Sequence, residues 1–177
     1  DMTFVVARPD VYVRLHKRIL AVIETVVPIQ HVRSIDEVVC ALLPSEGRQA
    51  LALAARIKTA LLDAFSPVLT CSIGLGPTEL LAKVAAERHK PNGTLLLNAS
   101  MLPDALHDLK LGKLPGIGAG IVTRLEAAGV SDFAALWALA PKQARALWGN
   151  VEGERFIQEL HGTHATRAQT RKRMFGH

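Results

Sequence analysis

Short apolar runs alternate with amphipathic patterns through the N-terminal part of the chain, and the alternation stops near residue 100. The runs at 37–43, 68–73 and 94–97 are rich in leucine, isoleucine and valine, as strands buried on both faces are. Amphipathic patterns that predict helices follow Pro9, Ser45 and Pro77. Strands alternating with helices predict a layered sheet with helices packed on it.

The chain from residue 100 onward carries no strand pattern, and short helical patterns alternate with glycine turns. We therefore expect an α+β fold, with sheet and helices in residues 1–99 and a small all-helical domain in residues 100–165. Residues 166–177 are polar and basic without an apolar face, which predicts a linker to a domain outside this chain. The start at Asp1, directly before a predicted strand at 3–7, indicates an interior cut.

The composition limits the class of protein. The chain has 177 residues, of which 49% are hydrophobic, enough for one compact domain and a smaller one. A net charge of +5 permits an anionic partner without requiring one. Cys40 and Cys71 are too few for a disulfide framework, so we expect reduced, buried thiols in a cytoplasmic protein. No apolar segment is long enough to cross a membrane.

Two carboxylates, Asp36 and Glu37, stand side by side immediately before the apolar run that begins at Val38. Carboxylates at the mouth of a buried strand are costly unless a positive group or water meets them. Neighbouring residues of a regular strand point to opposite faces, so both serve one site only where the strand starts, bends or bulges. Two interpretations stay open: a solvated strand end, or an oxygen-rich site for Mg²⁺, which takes carboxylates together with substrate phosphates.

Two lysines stand near the end of the third predicted helix. Lys83 lies four residues before Glu87, a spacing typical of an ordinary surface ion pair. Lys90 opens the turn Lys-Pro-Asn-Gly at 90–93, where Pro91 rules out continuation of the helix. A lysine on such a turn can extend toward a phosphate as a point charge.

A helix-hairpin-helix signature, Leu-Pro-Gly-Ile-Gly, occupies residues 114–118, before a predicted helix at 119–128. The glycines allow the backbone to approach a ligand closely, and the amides that open a helix bind anions. Phosphate binding by backbone amides is independent of base sequence. The other interpretation is a helical hairpin whose glycines serve packing. Residues 149–153 have the composition of a degenerate second hairpin.

Taken in order, the motifs resemble those of a Y-family (UmuC-like, translesion) DNA polymerase: SIDE at 34–37, TCSIGLG at 70–76, LLAK at 80–83, KPNG at 90–93 and LPGIG at 114–118. The resemblance covers nearly the whole chain. It implies that residues 1–99 are the C-terminal portion of a palm domain and residues 100–165 a thumb. Residues 166–177 would then be the linker to a little-finger domain that this chain does not contain.

The resemblance also implies the site residues. Asp36 would bridge two Mg²⁺ ions, Glu37 would hold the ion that activates the primer 3′-hydroxyl, and Lys90 would contact the triphosphate of the incoming nucleotide. The predicted DNA-binding residues are Gly116, Ile117, Gly118, Ala119, Lys83 and Arg124. The implied function is DNA-directed DNA synthesis, a nucleotidyl transfer, in lesion bypass and DNA repair.

The partners follow from the same resemblance: primer-template DNA, a deoxynucleoside triphosphate, and a sliding clamp engaged through a C-terminal region outside this chain. No membrane is expected. The implied location is the bacterial cytoplasm, with association to the nucleoid during repair.

Some features depart from the family. Val38-Val39-Cys40 follows SIDE where an alanine and an aromatic residue are common, and Thr78-Glu79 stands where Asn-Lys is usual. The first strand of the family, with a further metal-binding aspartate, and the fingers are not in this sequence. We therefore expect the isolated chain to be inactive as a polymerase.

Two other functions compete with the polymerase. A polymerase-like accessory protein would grip DNA without catalysis; the intact pair Asp36 and Glu37 argues against it, and the Thr78-Glu79 departure favours it. A helix-hairpin-helix glycosylase would need a catalytic acid downstream of its hairpin. The acidic residues downstream of the hairpin lack a lysine at a position that would indicate a catalytic pair. These residues are Asp132, Glu152, Glu154 and Glu159.

Overall fold

The computed structural model describes residue 6 and residues 8–165. The elements of the first part are α1 (Pro9–Glu24), β1 (His31–Val32), β2 (Val38–Val39), α2 (Pro44–Gly47), α3 (Ala50–Ala64), β3 (Ile73–Leu75), α4 (Glu79–Arg88) and β4 (Thr94–Leu96). Three single turns of 3₁₀ helix follow at Ala99–Met101, Asp104–Leu106 and Leu111–Lys113, and then α5 (Ala119–Ala127), α6 (Phe133–Trp137), α7 (Pro141–Trp148) and α8 (Val151–Leu160). Small sheets with a majority of helix confirm the predicted α+β class.

The chain divides into two compact units. The first contains the chain up to Leu75 together with Ala85–Leu96, and the second contains Gly76–Val84 together with the chain from Leu97 onward. The break at Leu97 lies near the predicted boundary at residue 100, whereas Gly76–Val84 falls inside the predicted domain 1–99. The identity of these units as palm and thumb stays a prediction.

The core of the first unit lies between α1 and α3. Ile23, Val27 and Leu61 are buried there because apolar residues recur at helical spacing along both helices. The two cysteines, Cys40 and Cys71, pack against this cluster. Both are free thiols, as predicted, but each is half-buried and not buried.

Two small sheets complete the first unit. β1 pairs with β2 in antiparallel fashion, with His31 opposite Val39. β3 pairs with β4 in parallel, with Ile73 opposite Thr94 and Leu75 opposite Leu96. Helix α4 connects β3 to β4 along the chain, which gives the βαβ arrangement that a parallel pair requires.

The predicted strands at 37–43 and 68–73 are wrong in extent. Only Val38–Val39 and Ile73–Leu75 pair as strands in these regions. The outer ends of these apolar runs are exposed, since Leu43 is 65% and Val68 is 89% exposed. Periodicity does not distinguish a short apolar run that pairs from one that does not. The strand predicted at 3–7 lies, apart from residue 6, outside the described residues.

The second unit consists of helices and turns, and no strand occurs among the described residues after Leu96, as predicted. Helices α7 and α8 cross closely at Gly153, where an added Cβ would lie 2.3 Å from the backbone oxygen of Ala144. Only glycine permits this approach. The predicted linker at 166–177 lies outside the described residues. Within residues 8–165, no helix is long and apolar enough to span a bilayer.

Candidate active site and nucleic-acid interface

Asp36 and Glu37 lie in the turn that joins β1 to β2. The backbone N–H groups of Arg33 and Ser34 donate to the carbonyl oxygen of Glu37 at 2.9 and 3.3 Å, which closes the turn. Glu37 directly precedes β2, so the pair stands where a strand begins, the position at which neighbouring side chains can serve one site. Asp36 is exposed and Glu37 is half-buried.

Two side chains hold this turn in place. The hydroxyl of Ser34 donates to Oδ1 of Asp36 at 2.5 Å. His16, which lies on α1, donates from Nδ1 to the carbonyl oxygen of Ile35 at 2.8 Å. The role of His16 could not be predicted, because a single histidine nineteen residues away in sequence carries no signal of this contact.

Lys90 lies on the turn after α4, where its ammonium contacts Oε1 of Glu87 at 2.6 Å. The hydrogen bond to Glu87 raises the pKa of Lys90, and the negative charges of Glu37 and Asp36 add to the rise. The structure therefore brings Lys90 into the electrostatic field of the hairpin carboxylates. Asp36, Glu37 and Lys90 lie on two separate segments of the first unit, and their role as one site stays a prediction.

The donor set of this region fits a hard divalent cation. Two neighbouring carboxylates offer oxygen ligands, and one or two carboxylates are what Mg²⁺ usually takes from a protein when substrate phosphates and water complete its shell. In the described part of the chain, no group of three or more histidine, cysteine, aspartate or glutamate side chains forms a metal cluster. The remaining ligands would therefore come from water, phosphate or residues other than those described.

The predicted helix-hairpin-helix lies in the second unit. The N–H of Ile117 donates to the carbonyl oxygen of Leu114 at 3.0 Å, which closes a β-turn over Pro115 and Gly116. Gly116 has a φ of +88°. This value fits the third position of a type II turn, which favours glycine there and proline at the position before it. Ile117 is buried and anchors the loop.

Helix α5 begins directly after this turn. Gly118 is its N-cap and provides no side chain that could accept from the first amides. An added Cβ at Gly118 would meet nothing within 4 Å, so the backbone here is open to a ligand. Ala119 opens the helix and is exposed. The first amides of a helix have no partner within the helix, which suits them to bind an anion.

The two predicted basic residues, Lys83 and Arg124, both belong to the second unit. Lys83 is exposed on α4. Arg124 donates from its guanidinium to the carbonyl oxygen of Trp148 at 3.0 Å and to that of Gly120 at 3.2 Å, and so ties α5 to the end of α7. Part of its hydrogen-bonding capacity is therefore used inside the protein. Its role in DNA binding stays a prediction.

The turn between α7 and α8 is the predicted second hairpin. Asn150 caps α8, with Oδ1 accepting from the N–H of Glu152 at 2.8 Å. Unlike the turn before α5, this helix start already has a side-chain acceptor for one of its amides. The first hairpin is therefore the more open of the two.

A helix-and-sheet unit with paired carboxylates on a hairpin is followed in the chain by a helical unit with a glycine hairpin, and solved structures share this fold. The chain matches DinB from Sulfolobus solfataricus with a TM-score of 0.74 and 23% identity, over 90% of this chain and 47% of that chain. It matches an insertion ternary complex of Dbh DNA polymerase with a TM-score of 0.77 and 22% identity, over 94% of this chain and 48% of that chain. These likenesses show the fold alone.

Sequence comparisons find relatives for part of the chain. Residues 1–87 match the impB/mucB/samB family. DNA polymerase IV of Cronobacter sakazakii is 38% identical over 93 residues, which are 48% of this chain and 26% of that protein. DNA polymerase IV of Yersinia pestis (strain Pestoides F) is 44% identical over 62 residues, 35% of this chain and 18% of that protein. Over the matched parts, the chain is thus similar to the impB/mucB/samB family and to DNA polymerase IV.

The chain spans about a quarter of the length of DNA polymerase IV from Cronobacter sakazakii and about half of the solved DinB chain.

Proposed function

We propose that this protein is a DNA-directed DNA polymerase of the Y family that performs two-metal nucleotidyl transfer in lesion bypass and DNA repair. The observation that carries the proposal is the position of Asp36 and Glu37 directly before β2, on a turn held by hydrogen bonds from Ser34 and His16. The sequence similarity to DNA polymerase IV supports it.

In this proposal Asp36 and Glu37 hold the Mg²⁺ ions. When bound, two metals at such a site stabilise the attacking and leaving oxygens of an in-line displacement. The exposure of Asp36 suits it to bind an ion that also contacts a substrate. The hydrogen bonds from Ser34 and His16 fix the turn, so that the carboxylates need little reorganisation when the ions bind.

Lys90 binds the triphosphate in this proposal. Its ion pair with Glu87 is exposed and therefore contributes little to stability, so the ammonium can exchange Glu87 for a phosphate at small cost. A lysine acts on phosphate as a point charge with rotatable donors.

The DNA grip is proposed to lie at the first amides of α5, next to the open Gly118. Amides that meet phosphate oxygens hold a duplex without reading its sequence. Primer-template DNA and a deoxynucleoside triphosphate are thus the proposed partners, together with a sliding clamp that contacts a region outside this chain. The proposed location is the bacterial cytoplasm and nucleoid.

Primer extension by a longer form of the protein, one that includes the first palm strand and the fingers, tests the proposal. Asp36→Ala and Glu37→Ala are expected to abolish extension with Mg²⁺ while duplex binding stays within about twofold, because the duplex is held mainly by phosphate contacts. Asp63→Ala is the matched control, since Asp63 is an exposed carboxylate on α3 in the same unit.

Near-normal extension by either hairpin variant would exclude these carboxylates as metal ligands. If the unmodified longer protein binds duplex DNA but never extends a primer, the non-catalytic accessory protein becomes the better description. The Thr78-Glu79 departure favours that second function, since it removes a positive charge that is usual in the family.

A further inference from the structure

Lys58 lies on α3 and reaches the turn that carries Lys90. Its ammonium donates to the backbone oxygen and to Oδ1 of Asn92, the latter at 3.1 Å, and to the backbone oxygen of Gly93 at 3.1 Å. The contact spans thirty-four residues of sequence. Lys58 is half-buried, so this is not a solvated surface lysine.

The number of contacts matches the chemistry of the side chain. A lysine ammonium has three N–H donors and no acceptor, and here three oxygen atoms of the turn meet them. Its effect also reaches the neighbouring thiol, since the Lys58 charge lowers the pKa of Cys71 against the larger rise that burial causes. The ammonium therefore occupies a defined place inside the first unit.

The turn that Lys58 holds has a demanding conformation. Asn92 has a φ of +56°, which is uncommon for a residue other than glycine. Gly93 lies against the end of α4, where an added Cβ would fall 2.0 Å from the backbone oxygen of His89. The oxygen of Gly93 also accepts from the N–H of Ile73 at 3.0 Å, beside the pairing of β3 with β4.

We propose that Lys58 is a positioning residue for Lys90: by tying Asn92 and Gly93 to α3, it fixes the turn and so sets where Lys90 stands relative to Asp36 and Glu37. The inference rests on the proposed contact between Lys90 and the triphosphate. A side chain without an N–H donor, such as methionine, leaves the turn oxygens without their shared donor. An arginine keeps the charge, but its planar fork cannot reproduce three convergent donors on one nitrogen.

The test uses the full chain with Mg²⁺ and inorganic tripolyphosphate as the probe. Nuclear magnetic resonance follows the affinity at Lys90 and the hydrogen exchange of the Ile73 amide. Lys90→Ala defines the contribution of Lys90, expected to be about tenfold in affinity for a charge-assisted contact. Lys58→Met and Lys58→Arg are both expected to lose most of this tenfold affinity for tripolyphosphate. In both variants the Ile73 amide hydrogen should exchange faster than in wild type. Lys17→Met, an exposed lysine on α1 in the same unit, is the charge-matched control and is expected to behave as wild type.

The outcomes distinguish the positioning role of Lys58 from the proposed contact between Lys90 and the triphosphate. If Lys90→Ala weakens binding but Lys58→Met does not, Lys58 has no positioning role and the proposed function stands. If Lys58→Arg binds as well as wild type, charge alone matters and the positioning role is overturned. If Lys90→Ala binds as wild type, the proposed triphosphate contact fails. In that case hydrogen exchange alone tests whether Lys58 fixes the turn. Faster exchange of the Ile73 amide in Lys58→Met supports the inference, and unchanged exchange overturns it.

Discussion

Thr78 is a buried polar side chain, 2% exposed, and its replacement tests how the start of α4 is held in the second unit. Its hydroxyl donates to the carbonyl oxygen of Glu159 at 2.8 Å and accepts from the N–H of Leu81 at 3.3 Å. The second contact is that of an N-cap, whose loss costs about 1 kcal/mol. The first contributes about 1 kcal/mol, because the Glu159 oxygen keeps its bond from the Gly162 N–H.

Thr78→Val preserves the volume of the side chain, so it removes both hydrogen bonds without a cavity and should lower the free energy of unfolding by about 2 kcal/mol. Urea unfolding followed by tryptophan fluorescence is the measurement, since Trp137 and Trp148 both lie in the second unit. The midpoint should fall by about 1 M. Thr78→Ser keeps the hydroxyl and loses only a methyl group, about 1 kcal/mol. A valine variant as stable as wild type, or more stable than the serine variant, would refute the reasoning.

Three further predictions concern the two hairpins and the catalytic carboxylates. Gly118→Val should leave the fold unchanged, because its Cβ meets open space, yet it should weaken duplex binding. Wild type should bind two unrelated duplexes equally, with a dissociation constant of roughly 10⁻⁴ to 10⁻⁶ M and a log–log salt slope of about −0.9 per phosphate neutralised. Undiminished binding by the folded variant would exclude the hairpin as the DNA-binding element. Gly153→Ala should unfold the second unit, as measured by tryptophan fluorescence, since its Cβ would clash with the backbone of α7. Gly120→Ala, whose Cβ would lie in open space, should be neutral or stabilising by up to about 1 kcal/mol. Equal stability of the two variants would contradict the packing argument. The isolated chain should not extend a primer with Mg²⁺, and extension that disappears in Asp36→Asn would show that the chain is already complete for catalysis.

Several elements could be predicted from local chemistry. The helices at α1, α3, α4 and α5 follow from apolar residues at helical spacing between proline and glycine breaks. The turn at 114–117 follows from Pro115 and Gly116, which suit its central positions. The paired carboxylates before β2 were recognisable because an acidic pair beside an apolar run needs an explanation.

Other features depend on contacts that are distant in sequence. The extent of β1 to β4 is set by which segments pair, and an apolar run does not carry that information. His16 and Lys58 look like ordinary polar residues of amphipathic helices, and only the fold brings them to the Asp36 and Lys90 turns. Thr78 stood out as a departure from the family, but its bond to Glu159 crosses eighty-one residues and could not be foreseen.

The central claim is that Asp36 and Glu37 hold the divalent metal. Mn²⁺ favours the same oxygen ligands as Mg²⁺ and is paramagnetic, so nuclear magnetic resonance of the labelled chain locates where it binds. Titration with Mn²⁺ should broaden the amide signals of residues 34–37 and of Lys90 first, and the double variant Asp36→Asn, Glu37→Gln should remove this broadening. Broadening that begins at the acidic start of α8, with residues 34–37 unaffected, would contradict the claim.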